Sequence, residues 1–187
     1  MGNDASLNML MAILPEIALI AMGTWCYLGS AFAKRPVDWS MFAVLAFAVA
    51  GMWLGYQAYL MAPQLEGKGA PLASGPVVLD VLSLVVRALT VAGGLALALA
   101  ATNSGGRRLS GEFQGSLLMA TAGVMLAAGA MDLIFLFVAL ELISIPTYVI
   151  LFLSRDGEQS SEATVKYFFL SIVSSAVMLY GFTLLYG

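Results

Sequence analysis

Histidine is missing from this 187-residue sequence, and cysteine occurs once, as Cys26. A lone cysteine cannot build a disulfide framework or hold an iron–sulfur cluster. The lack of histidine removes histidine-ligated haem and any ordinary zinc site. No glycine-rich loop suited to cradling phosphate is present either, so no cofactor is expected in this chain. Charge is scarce: 10% of the residues are Asp, Glu, Lys or Arg, against roughly a quarter in a soluble domain. The net charge is only −3, and no basic patch with interleaved aromatics points to nucleic acid. What the sequence has in abundance is oil. Hydrophobic residues make up 61% of it, the composition of a membrane protein. The opening MGNDASLN has no basic stretch, and the apolar run behind it is long enough to span, so it reads as a membrane helix rather than a signal peptide.

A bilayer core of ~30 Å takes about 20 apolar residues to cross. On that rule the sequence predicts one all-α, polytopic domain over residues 1–187, with six transmembrane helices at 9–33, 39–61, 77–101, 113–130, 132–153 and 163–186. Charged, turn-forming segments separate most of them, among them AKRPVD, TNSGGRRLSGE and SRDGEQSSE. The fourth span is short, and residues 129–132 must turn tightly into the fifth. Lys34, Arg35, Arg107, Arg108 and Arg155 fall in the loops after spans one, three and five, and only Lys68 falls on the other side. The positive-inside rule then places both termini outside the cytoplasm. Gly51 and Gly55 form a GxxxG, Gly93 and Gly94 lie in span three, and Gly123 and Ala127 lie four apart in span four. All read as helix-packing positions.

Ionisable groups inside the spans carry the chemistry, because a charge at the bilayer centre is costly and by default marks function. Glu141 lies midway along the fifth span, too deep to reach the interface, where a carboxyl group is suited to taking up and releasing a proton. Pro146, five residues on, removes an N–H and breaks the helix beside the acid. Ser144 and Tyr148 add hydroxyls on the same face. The plain structural alternative is a buried acid paired with a cation of a neighbouring helix. Lys166 enters the sixth span near its cytoplasmic end, either as a proton-transfer group or as a snorkelling anchor. Counting helical rise, Glu141 and Lys166 are too far apart to pair directly. Asp80, Ser83 and Arg87 share a face of the third span, as a neutralised pair or a polar relay. Glu16, beside Pro15, and Asp132 are expected at the membrane boundary, solvated or capping.

The segments MDLIFLFVALELISIPTYVILFL and SEATVKYFFLSIVSSAVMLYGFTLLYG resemble the core of the antiporter-like subunit N (subunit 2) of respiratory complex I, the NADH:quinone oxidoreductase. The match is strong over about residues 131–187 and weaker over the first three spans, where LPEI and the Asp80 and Arg87 positions fit. The resemblance implies the N-terminal part of a fourteen-helix fold with two inverted repeats, each forming a half-channel. It implies that Glu141 and Lys166 transfer protons, with Glu141 paired to a lysine of a later, broken helix. It further implies that NADH, FMN, iron–sulfur clusters and quinone belong to partner subunits. The expected setting is a bacterial inner membrane or equivalent energy-transducing membrane. This sequence stops after helix six, so the remaining helices are expected as a separate chain or a continuation. A subunit of a multi-subunit Na⁺/H⁺ antiporter or membrane-bound hydrogenase is the alternative, and a non-conducting scaffold a third reading.

Overall fold

The computed structural model describes residues 2–33, 37–65, 76–102, 111–154 and 158–186, with side chains over 10–33, 37–62, 76–102, 111–153 and 161–186. Within these, the chain forms six helices: α1 (Gly2–Phe32), α2 (Ser40–Leu65), α3 (Val81–Thr102), α4 (Gly111–Ala128), α5 (Leu133–Ser154) and α6 (Glu158–Tyr186). All six expected elements are present. The largest boundary change is at α1, where the helix starts seven residues earlier than the hydrophobic run. The basic residues that orient the sequence (Lys34, Arg35, Lys68, Arg107, Arg108 and Arg155) lie outside the described residues.

Five of the helices are long and apolar enough to cross a membrane: α1, α2, α3, α5 and α6. The sixth, α4, has 18 residues, or ~27 Å of helix, and it carries Gln114, Ser116 and Thr121 in buried positions. It tolerates these because its surroundings are protein: α4 packs against α1, α2, α3 and α5. The core lies where α1 to α4 cross, with Leu19, Phe47, Leu54, Val91, Leu118 and Met125 buried together.

Lipid tails are as apolar as leucine, so close backbone approach and dispersion hold such a bundle together. Small residues mark the crossings. A side chain on Gly111 would meet the Cys26 carbonyl oxygen at 2.4 Å, and one on Gly115 would meet that of Gly23 at 2.8 Å. Gly111 and Gly115 are thus the GxxxG that seats α4 on α1. Gly51 and Gly55, where the sequence predicts packing, behave differently. Gly51 has only an ordinary contact with Val91, and Gly55 has nothing within 4 Å. That face of α2 opens instead onto an apolar groove of about 520 Å³ shared with α3.

The tight turn between α4 and α5 forms as expected and is pinned from outside. Val77 and Ala130 form an isolated antiparallel bridge. The Val78 N–H donates to the Gly129 carbonyl at 2.9 Å, and the Met131 N–H to that of Pro76 at 2.9 Å. The segment leading into α3 therefore fixes where α5 begins. Asp132 then caps α5, its Oδ1 accepting the Ile134 N–H at 2.9 Å.

Candidate functional site

Two constellations of ionisable side chains lie within the helices. The first is on α5 and α6. Gly123 lets α5 come close to α4: a Cβ there would be 2.8 Å from Ile143 Cγ1 and 3.0 Å from the Ala139 carbonyl oxygen. With Ala139 and Ile143 turned to α4, Glu141 and Tyr148 are left for α6. Glu141 lies eight residues after Leu133, so it sits ~12 Å along the helix from that end. It is half-buried, and its Oε1 accepts a hydrogen bond from the Ser175 hydroxyl of α6. Tyr148 stacks edge-on against Phe168 of α6, ring centroids 5.4 Å apart.

Lys166 is not part of this contact. It forms an ion pair with Glu162, one turn earlier on α6, and the two side chains are 74% and 65% exposed. Nine residues separate Lys166 from Ser175, a rise of ~13 Å, which keeps Lys166 well away from the level of Glu141. Ser144 turns back on its own helix, donating to the Leu140 carbonyl at 3.0 Å, as Thr147 does to Ile143 at 2.7 Å. Pro146 sits inside α5 and cannot donate to the Leu142 carbonyl, so the hydroxyls flank the weakened turn of the ladder. Ser175 was not among the expected site residues. Its signal is the pair Ser174–Ser175 in an otherwise apolar run.

The second constellation joins α1, α2, α3 and α4, and it overturns the expectation that Glu16 is a solvated boundary residue. Glu16 and Arg87 have fully buried side chains and form an ion pair at 3.1 Å. The proline before Glu16 shows how this comes about. Pro15 has no N–H for the Met11 carbonyl, so the ladder opens there. Met11 O accepts instead from Trp53 Nε1 at 3.3 Å and Gln57 Nε2 at 3.1 Å. Ala12 O accepts from Gln57 Nε2 at 3.1 Å and Arg87 Nη1 at 3.1 Å. Arg87 Nε also reaches the Met125 carbonyl of α4, at 3.4 Å. Asp80 has a different role. It caps α3, accepting the Ser83 N–H at 2.7 Å, and is exposed while Arg87 turns inward.

Together these helices, with one carboxylate at mid-depth and a buried ion pair between helices, define a polytopic α-helical membrane protein that carries ionisable groups within its bundle. Comparison with known proteins shows what this chain is similar to. Residues 130–187 match the family model described as NADH:quinone oxidoreductase/Mrp antiporter, TM. The chain is 36% identical over 179 residues to NAD(P)H-quinone oxidoreductase subunit 2 of Thermosynechococcus vestitus, covering 94% of this chain and 33% of the relative. It is 33% identical over 174 residues to NADH-quinone oxidoreductase subunit N of Desulfitobacterium hafniense, covering 92% and 34%. Among solved structures, a chain of respiratory complex I from Thermus thermophilus with bound aureothin matches with a TM-score of 0.71 and 29% identity, over 92% of this chain and 36% of that one. The chain is thus similar to subunits N and 2 of complex I, as its glutamate and lysine segments suggest, and spans about a third of the length of the curated relatives it matches.

Proposed function

We propose that this chain is the part of a complex I membrane-arm subunit that supplies the Glu141 side of a proton-translocating half-channel. The observation that carries the reading is the placement of Glu141: a carboxylate at mid-depth, half-buried, held by a hydroxyl of α6 rather than by a cation. A carboxylate held in this way remains free to exchange a proton and to take a cationic partner when one approaches. Its helix runs on through Pro146 just beyond the acid, rather than breaking there, but the proline leaves the Leu142 carbonyl without its ladder donor. The outward face of α6, with Phe169, Leu170, Val173 and Val177 exposed, suits further helices that would bring that partner.

In this reading Glu141 is the proton-transfer group and Ser175 holds it. Lys166, paired with Glu162 at the end of α6 remote from Tyr186, feeds or drains the site. Tyr148 closes one side, and Asp80 and Arg87 serve the N-terminal helices. Electron transfer from NADH through FMN and iron–sulfur clusters to quinone takes place in partner subunits. Those subunits, the remaining helices of this subunit and the lipid bilayer are its partners. The setting is a bacterial inner membrane or an equivalent energy-transducing membrane, with the N-terminus on its non-cytoplasmic side.

Glu141→Gln tests the reading in vesicles containing the assembled complex. The expected result is loss of proton translocation coupled to quinone reduction, with assembly intact. Unchanged pumping in a normally assembled complex would leave the chain a scaffold. Sodium-driven transport without a redox donor would move it to the antiporters.

A further inference from the structure

The Glu16–Arg87 pair has more hydrogen-bonding capacity than the protein around it satisfies. Glu16 Oε2, Gln57 Oε1 and the Ser83 hydroxyl are buried and take no hydrogen bond from protein. Shared partners link these groups. Gln57 and Arg87 share the Ala12 carbonyl, Glu16 is one turn beyond Ala12, and Ser83 is one turn before Arg87 on the same buried face of α3. Buried polar atoms in native proteins nearly always find a partner, in protein or in ordered water. A cleft of about 210 Å³, lined by Met11, Ala12, Trp53, Tyr56, Gln57 and Leu60 among others, reaches the Gln57 end of this cluster. It lies where α1 starts to cross the membrane and α2 leaves it. The volume is ample for water, which needs a pocket of about 10–15 Å³ and two to four polar partners.

The chemistry of the unsatisfied atoms selects the occupant. The carboxylate oxygen and the amide oxygen are acceptors, and the hydroxyl both donates and accepts. A cation would face the Arg87 guanidinium. An anion would compete with Glu16, whose charge that guanidinium already balances. A small neutral molecule that donates twice and accepts once meets all three groups, and water is that molecule. Arg87 of α3 pairs with Glu16, Asp80 lies near the start of the same helix, and Tyr56 of α2 lines the cleft. From α4 the Met125 carbonyl contributes, through Arg87.

We propose that Glu16, Gln57, Ser83 and Arg87 form an internal water-binding site, reached through the α1–α2 cleft, that gives this chain a second proton-exchangeable carboxylate separate from Glu141. It stands independently of the channel reading, because it shares no residue with the α5–α6 site.

The test is a cryo-electron microscopy map of the full-length membrane protein in its native assembly and lipids, at a resolution that shows ordered water. The expected map has a water within hydrogen-bond distance of Glu16 Oε2 and of Ser83 Oγ or Gln57 Oε1. A cluster closed on itself without water overturns the proposal. Ser83→Ala supplies a second readout with opposite signs for the two cases. If the hydroxyl binds a water, its removal weakens that water's density and lowers the thermal unfolding midpoint. If the hydroxyl is a dry orphan, its removal relieves a desolvation cost. A midpoint unchanged or raised in S83A therefore also overturns the site.

Discussion

Replacing Arg87 by methionine, alone and together with Glu16→Gln, probes what joins α1 to the rest of the bundle. Arg87→Met keeps a long side chain but removes the guanidinium, leaving Glu16 charged at 0% exposure with no counter-ion. Breaking a buried pair from one side costs about 3–5 kcal/mol, a factor of ~10²–10⁴ in the folding equilibrium. Glu16→Gln should fall at the low end of that range. Arg87 would still donate to the carbonyls of Ala12 and Met125, which stabilise its charge. In the double variant no charge is left behind. Its remaining cost is that of the Met125 carbonyl without its donor and of the introduced amide without a partner, ~1–3 kcal/mol each as an upper range, since the Ala12 carbonyl keeps Gln57. The double variant should therefore be more stable than the sum of the singles by about 1–3 kcal/mol. Reversible unfolding of the purified membrane protein in mixed micelles, titrated with a denaturing detergent and followed by helical circular dichroism, measures all four corners of the cycle. Additivity within about 0.5 kcal/mol would refute the argument that the two charges stabilise each other across the helices.

Gly94 of α3 and Gly55 of α2 differ in environment. Gly94→Ala places a Cβ 2.7 Å from Phe47 and 2.9 Å from Thr121 Oγ1 and should cost about 1–3 kcal/mol of overpacking. Gly55→Ala meets nothing within 4 Å and should stay within about 0.5 kcal/mol of the parent; the same unfolding titration distinguishes them. Ser175→Ala removes the hydroxyl bonded to Glu141, a bond to a charged acceptor of ~1.5–3 kcal/mol. It should lower coupled proton translocation by roughly an order of magnitude, with Ser175→Thr restoring most of it; equal loss in both variants would show that shape, not the hydroxyl, matters. Asp132→Ala should cost about 0.5–2 kcal/mol as a lost helix cap, whereas Asp132→Asn should cost little, since asparagine caps as well.

Much of this protein is legible in one dimension because the bilayer makes it so. Every backbone polar group inside lipid must be bonded within its own segment, so a run of about 20 apolar residues is already a helix. The same cost makes an isolated acid such as Glu141 conspicuous, and the tight turn before α5 can be read directly, whereas Pro146, expected to break the helix, is carried inside an unbroken α5. Asp132 as a cap follows from residue type and position alone. Pairing between helices is a different matter. Periodicity groups Asp80, Ser83 and Arg87 on one face, but Arg87 is neutralised by Glu16, 71 positions away in the numbering and on another helix. Glu16 looks like a boundary residue because its depth was counted along α1 alone; α2, α3 and α4 cover it. Two GxxxG-type spacings occur at Gly51–Gly55 and Gly111–Gly115, and only the crossing geometry decides that the second is packed and the first lies open. Glu141 was visible from the start, while Ser175 as its partner required α6 to be placed against α5. Local sequence set the helices and their costly charges, since those depend on the solvent around each segment. Which charge meets which partner, and which groove stays open, depended on distances between segments that no single segment contains.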